Sequence, residues 1–110
     1  MCGAANNQLA AHDDRSRIAD AGVLYAPDYV VNAGGVINIA DELQGLSGPL
    51  SGEHGHYDHD RAFARVAGIR DTVANVLRAA GDEGITTADA ADRIAERRIE
   101  AAAARSERQA

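Results

Sequence analysis

The chain has 110 residues, which bounds it to one small domain able to bury a core. Its formal net charge of −6 and sequence pI of about 5.0 argue against a nucleic-acid partner, because binding phosphate calls for a basic face. All 11 cationic side chains are Arg, so the chain holds no lysine to act as a tunable amine base.

Aromatic residues are only 4% and Trp is absent, so any core must be built from Ala, Val, Ile and Leu. The abundance of Ala favours helix. The one cysteine, Cys2, can form no internal disulfide, which points to a reducing, cytoplasmic compartment. No run is long and apolar enough to span a membrane, and the N-terminus has neither a basic nor an apolar leader region.

In chain order, Cys2 to Asn7 is a turn rich in Gly and Asn that reads as the end of a strand whose body is not in the sequence. Gln8 to Ala21 has weak helical character and stops at Gly22. Val23 to Tyr25 and Tyr29 to Val31 are short apolar runs, each readable as a strand of a buried parallel sheet. Gly34-Gly35 marks a turn, and Val36 to Leu43 suits a short buried helix. Gly45 to Asp60 is a long polar loop holding His54, His56 and His59.

Arg61 to Ala80 is the clearest helix, with Phe63, Val66, Ile69, Val73, Val76, Leu77 and Ala80 recurring at three- and four-residue spacing. Asp58 and Asp60 suit its dipole, and Gly81 and Gly84 supply the stop. A final helix starts near Thr86 or Thr87, either of which can cap it, with Ala91, Ile94, Ala95 and Ile99 on one face. Past Ala104 the small, charged tail is expected to fray. The fold class expected is α/β, mostly helical by residue count.

Two segments carry chemistry. In CGAANNQ, Cys2 to Gln8, small residues and two amides at a strand end let a flat ligand approach the backbone and offer it hydrogen bonds. An Asn-rich turn with no ligand accounts for the same residues equally well. In LYAPDYVVNAGGVINIADEL, Leu24 to Leu43, Asn32 precedes Ala33-Gly34-Gly35 at a helix start, where free backbone N–H groups favour anionic groups. Taken alone, that segment is better explained as a tight turn with a polar cap.

Taken together, CGAANNQ, GVLYAPDYVVNAGGVINIADEL, RVAGIRDT and ADRIAERRI resemble, in order and spacing, the C-terminal part of the leucine, valine and phenylalanine dehydrogenases of the glutamate dehydrogenase superfamily. The resemblance runs from Cys2 to about Ile99. It implies the C-terminal half of a Rossmann-like dinucleotide-binding domain: residues 1–45 as its end, 46–60 a loop and 61–104 the packing helices. The implied reaction is reversible oxidative deamination of a branched-chain L-amino acid to its 2-oxo acid and ammonia, with NAD as cofactor, in an enzyme expected to be a homo-oligomer.

Residue by residue, the resemblance implies that Gly3, Ala4, Ala5 and Asn6 are cofactor neighbours and that Asn32 stands near both cofactor and substrate. It further implies that Val66 and Ile69 line an aliphatic side-chain pocket, and spacing of three places both on one helix face. From the residues alone, plain core packing explains that pair better.

The acid–base Lys and Asp, the GxGxxG turn and the residue binding the adenosine ribose all belong to parts of the family absent from this sequence, so no catalytic residue is expected here. The chain alone is expected to be inactive and marginally stable, with an exposed strand edge and apolar face. The alternatives are a non-catalytic remnant that binds a nucleotide or a protein partner, and a metal-binding protein using the His54/His56/His59 loop. No metal is assigned, because zinc sites want a firmer spacing.

Overall fold

The computed structural model describes residues 1–46 and 57–109. Among these it contains five helices and no strand: α1 (Asp14–Asp20), α2 (Asp28–Val31), α3 (Gly34–Leu46), α4 (His59–Glu83) and α5 (Thr87–Gln109). The expected α/β, Rossmann-like character is thus corrected to an all-helical piece, while the helical majority agrees.

Local chemistry sets each boundary. The Asp14 carboxylate accepts from Ala11 N–H (2.9 Å) at the start of α1, and Gly22 at φ +69° follows its end. α2 is a single turn after Pro27, whose carbonyl accepts from the N–H groups of Val30 (2.9 Å) and Val31 (3.1 Å). The Asp58 side chain caps α4 by accepting from Arg61 N–H (3.0 Å), and Gly84 in the left-handed region closes it. Thr86 caps α5: its Oγ1 accepts from Asp89 N–H (3.1 Å) and donates to the Asp89 carboxylate (2.6 Å).

Neither expected strand forms. Tyr29–Val31 lies within α2, closed into one turn by the Pro27 carbonyl, which accepts from the Val30 and Val31 N–H groups. Val23–Tyr25 is irregular. Even so, the Met1 ammonium donates to Leu24 O and Ala26 N–H donates to Met1 O (2.9 Å), which is the bonding of one rung of a parallel ladder. The expected exposed strand edge is therefore corrected to exposed helix faces. The tail is also corrected, since α5 continues to Gln109 on residues of high helix propensity.

α4 is the central element, and α2, α3 and α5 each pack on it. The core is small and Ala-rich: Val76 and Ala80 of α4 meet Ala90 and Ala91 of α5, with Val30, Ile85 and Ile94 against them. α3 presents Val36 and Ile39 to solvent, 70% and 56% exposed.

Candidate functional site

The two segments singled out in the sequence meet. Asn32 Nδ2 donates to Asn6 Oδ1 at 2.6 Å, joining the CGAANN turn to the junction between α2 and α3. The turn is held from below by Asp28, which is buried. Its Oδ2 accepts from Asn7 N–H (2.9 Å) and its Oδ1 from the Tyr25 hydroxyl (2.8 Å). Asn7 takes φ +53°, a conformation Asn tolerates better than most residues. Gln8 Nε2 closes the turn on Ala5 O at 3.1 Å, and a Cβ at Gly3 would meet that same nitrogen at 3.0 Å. A larger residue at Gly3 would therefore displace the Gln8 amide from this position.

Electrostatics follow from the contacts. The Tyr25 hydroxyl bond, with the Asn7 N–H, holds the Asp28 carboxyl below its ordinary range against the opposing cost of burial. Burial and then the Asp28 bond push Tyr25 up. The site therefore rests on a fixed anion beneath the exposed Asn6 and the half-buried Asn32 amides. Asn32 is itself anchored, because its N–H donates to Asp28 O at 2.8 Å. Beyond it, the first N–H groups of α3 have no partner within the helix and can meet an anionic group.

The predicted site residues divide into two sets. Gly3, Ala4, Ala5, Asn6 and Asn32 are brought together in one surface, with Gly3 and Asn32 half-buried and the others exposed. Ile69 lies on α4 and lines a groove of about 480 Å³ with Ala33, the neighbour of Asn32, and Ile37. Val66 is half-buried on α4 and is not among the groove-lining residues. His54 and His56 lie outside the described residues. His59 opens α4 with its ring stacked on Phe63, centroids 5.9 Å apart. Among the described residues no three His, Cys, Asp or Glu side chains are grouped to hold a metal.

Sequence reading missed Tyr25 and Asp28, which position the turn; a tyrosine three residues before a helix-opening aspartate was the available signal. The short buried helix expected over Val36 to Leu43 is corrected as well: α3 forms there, but Val36, Ile39 and Leu43 lie in solvent.

No family model matches the chain. The chain is 51% identical over 105 residues to a valine dehydrogenase of Streptomyces albus, an alignment covering 96% of this chain and 26% of that protein. It is 48% identical over 99 residues to a leucine dehydrogenase of Bacillus cereus, covering 90% of this chain and 24% of that one.

The chain is homologous to the leucine, valine and phenylalanine dehydrogenases.

It spans about a quarter of the length of these relatives. The crystal structure of L-tryptophan dehydrogenase from Nostoc punctiforme aligns with a TM-score of 0.76 at 43% identity, over 89% of this chain and 26% of that one. No helix among the described residues is long and apolar enough to cross a membrane.

Proposed function

We propose that this chain supplies one wall of the active site of an NAD-dependent amino-acid dehydrogenase of the valine or leucine type. The observation that carries the reading is the Asn32–Asn6 hydrogen bond, which joins the two motifs in one surface. The identity to a valine dehydrogenase supports it. The residues fit one flank of a dinucleotide: small side chains at Gly3, Ala4 and Ala5 permit close approach, and the amides of Asn6 and Asn32 are available for hydrogen bonds.

When bound, NAD supplies the hydride acceptor for the substrate α-carbon. The part played by this chain is to bind and orient. Asn6 and Asn32 hold their groups toward the cofactor, Asn32 also faces the amino-acid or 2-oxo-acid substrate, and Ile69, with Val66, contributes aliphatic surface for a branched side chain. Proton transfer by a lysine lies outside this chain, which has none. The isolated chain is inactive on this reading.

The test is a chimera in which residues of this chain replace the matched 105 residues of the Streptomyces albus enzyme. Valine- and leucine-dependent NADH formation is expected. Asn32→Ala in the chimera is expected to lower kcat/KM on the order of 100-fold, as when one oriented donor is removed from a reacting centre. A folded chimera without activity, or an Asn32→Ala variant of full activity, refutes the proposal.

A further inference from the structure

The face by which α3 rests on α4 is unusual in being polar at its centre. Asp41 is the most buried side chain on α3 among those described, at 0% exposure. Its hydrogen bonds among the described residues all run to α4 or to the residue that caps α4. Arg61 approaches it side-on, with Nε 2.5 Å from Oδ1 and Nη2 2.9 Å from Oδ2. Asp58 N–H donates to Oδ2 at 2.9 Å. Asp58 in turn accepts from Arg61 N–H through Oδ1 at 3.0 Å, and its Oδ2 lies 3.6 Å from Arg61 Nη1. One carboxylate therefore joins α3 to the first turn of α4, with no buried polar side-chain atom left unpartnered among the described residues.

The apolar alternative is weak here. Ile37 and Ala40 of α3 are only half-buried, and Val36, Ile39 and Leu43 face solvent. Of the other helices, α3 makes its main packing contact with α4. Apolar contact is non-directional, whereas a bidentate guanidinium–carboxylate pair has one geometry. The Asp41 carboxylate is fully buried while the Arg61 side chain is 43% exposed; a charge pair taken out of water adds little net stability over apolar residues of similar volume, and its best-attested use is to specify register. Asn32 is held separately, through Asp28 of α2. What the pair governs is the axis of α3 after its first turn, and so the placement of Ile37, which lines the groove together with Ile69 of α4.

We infer that Asp41 and Arg61 are positioning residues, whose bidentate pair, buried at its carboxylate end, fixes the orientation of α3 on α4 and thereby the α3 wall of the candidate site. The consequence for catalysis rests on the dehydrogenase reading above; the consequence for orientation does not.

The experiment compares the parent chain with Asp41→Leu/Arg61→Met by residual dipolar couplings of α3 and α4 and by thermal unfolding. The double variant is expected to fold with a transition close to that of the parent, while its α3 couplings no longer fit one rigid frame with α4. The Asn32 side-chain amide signals stay in place as an internal control. Unchanged couplings in a folded double variant overturn the inference.

Should the double variant not fold, Asp41→Asn carries the test, because it keeps an acceptor for Asp58 N–H while removing the charge and one Arg61 bond. Loosened α3 couplings in the folded Asp41→Asn chain support the inference, and couplings identical to the parent refute it. In the chimera, the double variant is expected to lower kcat/KM roughly 10- to 100-fold, the scale of a small misplacement at a reacting centre. A chimera already inactive with Asp41 and Arg61 intact overturns the dehydrogenase reading alone, and the couplings still decide the role of the pair.

Discussion

At Asp28 a single side chain joins two separated pieces of chain, the Cys2–Gln8 turn and the segment from Tyr25 into α2. It takes the backbone N–H of Asn7 and the hydroxyl of Tyr25, and it opens α2, whose far end carries Asn32. Only an ionised carboxylate offers an acceptor on both oxygens. Asp28→Asn turns one of these into an N–H group facing another donor, leaving a buried polar group poorly satisfied. We expect a loss of about 1–3 kcal/mol in urea unfolding; a variant as stable as the parent would mean the turn is held by other contacts. The sequence marked Asn6 and Asn7 together as amides open to a ligand. Their roles differ in the fold, because Asn7 uses its backbone to bond Asp28 while Asn6 turns its side chain to Asn32. That division depends on a partner more than twenty residues away and has no local sequence signal.

Among the elements, the long helices were the most legible. The three- and four-residue spacing from Phe63 to Ala80 matches α4; of the two expected stops, the helix runs through Gly81 and closes at the left-handed Gly84. Thr86 and Thr87 were equal as caps by sequence, and hydrogen bonding selects Thr86 through Asp89. Thr86→Ala is accordingly expected to cost about 1 kcal/mol, read as a lowered thermal midpoint, whereas Thr87→Ala leaves it near the parent value. Equal effects of the two substitutions would contradict the assignment. The short runs Val23–Tyr25 and Tyr29–Val31 misled because a brief apolar stretch has no periodicity of its own. The second is closed into one turn by bonds to the Pro27 and Asp28 carbonyls, and the first has Met1 as its backbone neighbour in the parallel pattern. Homology and fold class separate here: the motifs identified the relatives correctly, while the described part of the chain is all-helical.

Across the whole molecule, the Cα radius of gyration is 17.4 Å, against about 13 Å for a compact domain of this length. The excess reflects two long helices with little packed between them and a core mostly of alanine. Charge contacts carry much of the remaining tertiary structure. Arg15 of α1 bonds Asp89 and Asp92 of α5, Tyr29 bonds Asp92, and Arg93 and Arg97 hold Glu83.

Asp28, Asp41, Glu83 and Asp89 all have carboxyls lowered by their partners, chiefly Tyr25, Arg61, Arg93 and Thr86 in turn. A lowered folded value means the unfolded chain binds more protons in acid. The stabilisation is therefore complete above the unfolded carboxylate range of about 4 and lost as pH falls below it. Tyr25 and Tyr29 are raised, chiefly by burial, so their contribution is complete below about 10 and lost as pH rises beyond it. Unfolding free energy measured against pH is expected to be level from about 5 to 9 and to fall on both sides; a steady rise through pH 4 on acidification would contradict the carboxylate assignments. By itself the sequence determined the helical periods, the turn chemistry and the relatives, because each is written in near-neighbour spacing and residue type. Only the tertiary structure decided that Asn6 meets Asn32, that Ile69 shares a groove with Ala33 and Ile37, and that α3 is seated by Asp41 on Arg61. Those pairings join residues far apart in the chain, and their geometry depends on how the helices pack.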